Sequence, residues 1–297
     1  MLRQVLATAA LLAIATISFA APSNGPRTRV LDPYPVTIHY EPRYSRVADR
    51  VESIARDNLP RLMAEIGLTH LDSIDIVVTA HAREYDASLA GELPNWGVAF
   101  AILEEQRILV DVEKATRAYN SLDEVVPHEL SHLLVRQKVP HARLPIWFSE
   151  GLAQWQAREW SLVDSWELMQ GVWTGSSPRI EDLVRQYPAD EMRAQSAYRI
   201  SYAAFTDLFS GLGFQVLPDL LKSVEDKESF SDGFFSYFGF TTADYAAYFH
   251  DEIERRYKSK ALVFQSGPLF GFATLVFIAM IVRYTIRRRR KYQQLEE

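Results

Sequence analysis

Cysteine is absent from all 297 residues. That excludes a disulfide scaffold, a thiolate metal ligand and a thiol nucleophile, so any metal site must draw on histidine and carboxylate. N-x-S/T sequons are absent too, which with the missing cysteine sets the expectation of a bacterial protein. Positive charge is scarce where it would matter for nucleic acid. Between residues 22 and 260 there are 25 Lys/Arg against 36 Asp/Glu, and phosphate binding needs the opposite balance, so no nucleic-acid partner is expected. Internal repeats and low-complexity tracts are also missing. Long apolar runs occur only at the two ends, while the 48% hydrophobic content is ordinary for a chain that can bury a core.

Those two ends read as addresses. Residues 1–21 carry one early Arg3, an apolar run over 5–20 and small residues around Ala20 and Ala21, the layout of a secretory signal peptide. Residues 22–33 read as a linker. Residues 262–282 form an uncharged stretch about long enough to cross a bilayer, and Arg283, Arg287 to Arg290 and Lys291 follow directly. The expected topology is a body at 34–260 outside the cytoplasm (periplasm or cell surface), a single transmembrane helix at 262–282 and a basic cytoplasmic tail at 283–297. The tail could also contact anionic lipid.

Within the body, alternation predicts strands over 36–40 and 74–79, and a hairpin from 97–102 and 107–112 around Glu104-Glu105-Gln106. Helical spacing predicts a helix over 44–66 ended by Gly67, with Pro60 a break or kink. After residue 120 the reading is helical: 147–160, 181–187, 198–212, 214–224 and 242–257. The fold class is therefore α+β, a small mixed sheet lobe followed by a mainly helical lobe, plus the C-terminal span.

The chemistry concentrates at Pro127-His128-Glu129-Leu130-Ser131-His132, an H-E-x-x-H. On a helix, imidazoles four residues apart lie on one face and can grip one metal ion, and the adjacent Glu can act on an activated water. Ser121-x-x-Glu124 has the form of a capping box, and Pro127 requires the helix either to start near Glu124 or to kink. Two histidines leave a catalytic zinc short of its usual three protein ligands. Downstream, Pro145 suits the first turn of a second helix, with Glu150 one turn in and Gly151 beside it. The seventeen residues between His132 and Glu150 suffice for an antiparallel return.

H-E-L-S-H followed by W-F-S-E-G-L-A resembles the gluzincin zinc peptidases, in particular the peptidase MA-like group, over roughly residues 95–257. The resemblance implies His128, His132 and Glu150 as ligands of Zn2+ and Glu129 as general base. It also implies a tyrosine in the 198–202 region as donor to the developing oxyanion, and a peptide or protein substrate; the Ala197-Tyr198 context favours Tyr198 over Tyr202. The exopeptidase motif G-x-M-E-N is missing from the hairpin, where Gly97-Val98-Ala99-Phe100-Ala101 stands, so aminopeptidase specificity is not implied. Pro127 also departs from the group's pattern. The activity expected is zinc-dependent peptide hydrolysis by a membrane-anchored enzyme. The alternative is an inactive peptidase-fold module for binding or envelope assembly. The remaining histidines (His39, His70, His81, His141, His250) and the tryptophans are expected to be ordinary surface or packing residues.

Overall fold

The computed structural model describes residues 25–85, 97–117, 122–185, 188, 190–264 and 268–296. The expected signal peptide and Ser121 lie outside them. The first elements are β1 (Arg27–Val30), β2 (Val36–Tyr40), α1 (Ser45–Ile66), β3 (Ile74–Thr79), α2 (Ala82–Tyr85), β4 (Ala99–Ile102), β5 (Arg107–Asp111) and α3 (Val112–Arg117). Helices follow: α4 (Leu122–Lys138), α5 (Ile146–Ala157), α6 (Leu162–Thr174), α7 (Glu191–Leu208), α8 (Leu217–Lys227), α9 (Phe230–Phe238), α10 (Thr242–Phe264) and α11 (Pro268–Glu296). This is an α+β arrangement.

The five strands lie in the order β1-β2-β3-β5-β4. Pairing is parallel between β2 and β3 and between β3 and β5, and antiparallel at both edges, so the sheet is mixed. Strand alternation sends Ile74, Ile76 and Val78 into the main core, with α1 and α4. Val77, Phe100 and Leu109 face the other way, over Ala82 of α2. The expected hairpin is present as β4 and β5, and β4 is an edge strand.

Several expectations need correction. Residues 27–30, read as linker, form β1 against β2. Arg-Thr-Arg-Val has no apolar alternation to announce it, because an exposed edge strand buries little. Pro60 neither breaks nor ends α1. Its helix runs to Ile66, where Gly67 takes a left-handed conformation at φ 66°. The helix expected at 181–187 is only a 3-10 turn at Ile180–Leu183, and residues 186 and 187 lie outside the described set. Helix α6 was not anticipated, although Ser161 and Asp164 form a full capping box and Gly175 closes it. The stretch at 262–282 spans the end of α10 and the start of α11, and residues 265–267 between them are not described. Among the described residues, no helix is long and apolar enough to cross a membrane.

Candidate metal centre

Helix α4 starts at Leu122, so Pro127 sits in its second turn, not at a break. Beyond it the helix continues to Lys138, and His128 and His132 lie one turn apart with ring centroids 4.9 Å apart. Helix α5 has Pro145 at its N-cap and runs back along α4. It brings Glu150 to both rings: Oε2 is 3.3 Å from His128 Nε2, and Oε1 is 3.6 Å from His132 Nε2. The approach is set by Gly151. A Cβ there would stand 2.5 Å from both the Ser201 carbonyl and the Phe205 Cβ of α7, so only glycine permits this close helix packing.

The other nitrogen of each ring is already committed. His128 Nδ1 lies 3.0 Å from Glu159 Oε1, and His132 Nδ1 lies 3.2 Å from Ser149 Oγ. Glu159 reaches back because Arg158 ends α5 in a left-handed conformation, φ 58°, which turns the chain toward α4. Both contacts leave Nε2 aimed at Glu150. Yet Glu150 Oε2 is buried without a hydrogen-bond partner. Two imidazole nitrogens and an orphaned carboxylate oxygen facing a common point form a donor set for a cation. One atom from each residue lies within 4.8 Å of the others, and among the described residues this is the one cluster able to hold a metal ion.

Charge in the pocket follows the same geometry. Burial favours neutral Glu150, but His132 and His128 outweigh it and hold the carboxylate well below its ordinary range. Burial likewise opposes charge on His128, yet Glu159 and Glu150 lift its imidazole well above the usual value. The centre is thus arranged to hold positive charge among these groups, which a divalent cation would supply in place of a proton. Two imidazoles and a carboxylate, with no thiol, suit such an ion.

Glu129 points to the sheet side. Ala101 N–H of β4 donates to its Oε2 at 2.7 Å. Its carboxyl is raised above the ordinary value, by burial first, with His128 and His132 opposing. Tyr198, on α7, is pushed well upward by burial and by the charges of Glu150, Glu129 and Glu159. Its hydroxyl therefore shares the field of all three carboxylates. Tyr202 does not: it stacks on Trp160 at 4.2 Å and is shifted upward by burial and Asp164. Gln154 ties the two helices, donating to the carbonyls of Glu150 and Tyr198 at 3.1 and 3.0 Å.

The model of the Peptidase MA superfamily matches residues 54–254 of this sequence. The chain belongs to the peptidase MA superfamily. No curated protein matches it at a significant level. The superfamily match takes in most of α1, the sheet from β3 onward and α4 through most of α10, so β1 and β2 precede it.

Of the residues singled out in the sequence, the fold groups His128, His132 and Glu150, with Glu129 held beside them by Ala101 and Tyr198 on the neighbouring helix α7. Sequence reasoning missed Glu159, Ser149 and the Ala101 N–H. Glu159 lies nine residues past Glu150, beyond a helix end, where no periodicity points to it. His39, His81 and His250 instead lie beside Asp75, Glu113 and Glu254.

Proposed function

We propose that this chain is a membrane-anchored, extracytoplasmic zinc metallopeptidase of gluzincin type. The observation that carries the reading is the convergence of His128 Nε2, His132 Nε2 and the orphaned Glu150 oxygen beside Glu129. His128, His132 and Glu150 would hold Zn2+, which when bound lowers the pKa of water and polarises a carbonyl. Glu129 acts as the general base. Burial raises its carboxyl toward the range where a group can both take a proton and return it to the leaving amine. The Ala101 N–H fixes the carboxylate for that task. Tyr198 stays protonated in its acidic surroundings and donates to the developing oxyanion.

Strand β4 supplies a backbone ledge. Asp111 N–H donates to the Val98 carbonyl at 2.9 Å, so the alternation of an antiparallel pair leaves Ala99 and Ala101 facing away from β5. An extended peptide could add to that edge through Ala99 and the Ala101 carbonyl, the Ala101 N–H being held by Glu129. Anchoring is supported by the exposed apolar side chains of α11, with Phe272 at 69% and Leu275 at 67%, ahead of the Arg-rich run.

The decisive experiment compares the wild type with Glu129→Gln for metal content and peptide cleavage. The substitution should leave bound zinc intact and lower turnover by about 10²–10⁴-fold. Absence of stoichiometric metal in the wild type would refute the centre. Retained metal without cleavage of any peptide would favour an inactive peptidase-fold binding module.

A further inference from the structure

A cavity of about 1010 Å³ adjoins the centre, lined by His132 and by Ser149, which contacts the Nδ1 side of that ring. Three guanidiniums line it from three separate segments. Arg136 lies one turn after His132 on α4, Arg143 sits in the loop before α5, and Arg185 follows the 3-10 turn. None of the three makes an ion pair or hydrogen bond among the described residues. Arg136 is the telling one. The described half-buried arginines are Arg29, Arg61, Arg107, Arg136 and Arg199. Four of them are ion-paired, with Asp49, Glu65, Glu105 and Asp164 respectively. A half-buried guanidinium normally needs such a partner, because desolvating an unpaired charge is costly. Arg136 has instead the cavity. Glu104 and Glu228 also line the wall, so the cavity holds three arginines against two glutamates, on a body whose overall balance is acidic.

We propose that this cavity receives a peptide carboxylate, from an acidic side chain or a free C-terminus, with Arg136 as its anchor and Arg143 and Arg185 at its rim. The inference rests on the peptidase reading for the nature of the ligand. Planar guanidinium matches carboxylate through two parallel hydrogen bonds, which a neutral side chain cannot use. The segment bound there lies on the His132 side of the centre, away from the Ala101–Glu129 contact.

The test uses the full chain in mild detergent, zinc-loaded and carrying Glu129→Gln so that peptides persist. Fluorescence anisotropy compares three labelled peptides of one length: acidic with an amidated end, neutral with a free C-terminus, and neutral amidated. At least one carboxylate-bearing peptide should bind about tenfold tighter than the neutral amidated one, with the gap shrinking in salt. The first two peptides separate side-chain from terminal recognition. Arg136→Gln should bring the affinity ratio toward one, and Arg136→Lys should restore part of it. Should Arg136→Gln fail to fold, the exposed double change Arg143→Gln with Arg185→Gln must still lower the ratio. Equal affinities, a ratio indifferent to these changes, or no binding of any peptide would overturn the proposal. Cleavage by the wild type is scored separately. Cleavage without carboxylate preference sinks this inference alone, whereas carboxylate preference without cleavage sinks the peptidase reading alone.

Discussion

Each imidazole of the centre has one nitrogen spoken for, and that commitment decides where the other points. Glu159 holds His128 at Nδ1 and Ser149 does the same for His132. Glu159→Gln keeps the shape but removes the charge that orients and enriches the ring. Metal affinity should fall about 10–100-fold, as chelator competition would measure, while the circular dichroism spectrum stays unchanged. Tyr198 and Tyr202 are also separable here. If Tyr198 serves the oxyanion, Tyr198→Phe should lower kcat about 10²-fold with KM little altered. Tyr202→Phe removes a hydroxyl from a ring stacked on Trp160 and should leave kcat within a factor of a few. The pairing of His128 with His132 was legible in the sequence because helical periodicity alone aligns 128 with 132. The orienting residues were not, since Glu159 arrives only through a left-handed reversal at Arg158.

Three helices build the centre, and their spacing is set by Gly151. Gly151→Ala would press a methyl group into the backbone of α7 at Ser201. It should cost about 1–3 kcal/mol of stability, seen as a lowered Tm, and should weaken metal binding because Glu150 moves with α5. A substitution that lowers neither would show that α5 and α7 are less tightly packed. Pro127 illustrates the opposite case, a residue that looked disruptive and is absorbed. It stands in the second turn of α4, where the helix forgoes its N–H bond to the Asp123 carbonyl and still continues through His128 and His132. Elements with strong periodicity, such as α1 and β3, were readable from residue patterns. Strand β1 was not, because it is exposed and polar, and its identity comes from pairing with β2. Helix α6 was missed despite its capping box, since its exposed Leu162 and Trp173 blur the apolar face.

Across the whole molecule, the acidic body and basic tail set the expected topology. The cysteine-free sequence makes that testable, because one introduced thiol is the only target for a maleimide. In intact cells, Ser210→Cys in the body should react with a membrane-impermeant reagent. Gln293→Cys in the tail should react only after the membrane is opened. Equal labelling of both before opening would refute the single-span arrangement. Ending the chain after residue 260 should move the protein from the membrane fraction to the soluble one, if the span is the anchor.

Residue order alone determined the local facts: two histidines on one helical face, a carboxylate one turn into the next helix, apolar ends and a thiol-free metal chemistry. These follow from 3.6-residue periodicity and composition, which need no neighbours. The tertiary structure decided what depends on chain reversal and close packing. It turned Glu159 back on His128, laid the β4 edge against Glu129, set Tyr202 against Trp160, and left Arg136 lining a cavity without an ion-pair partner among the described residues.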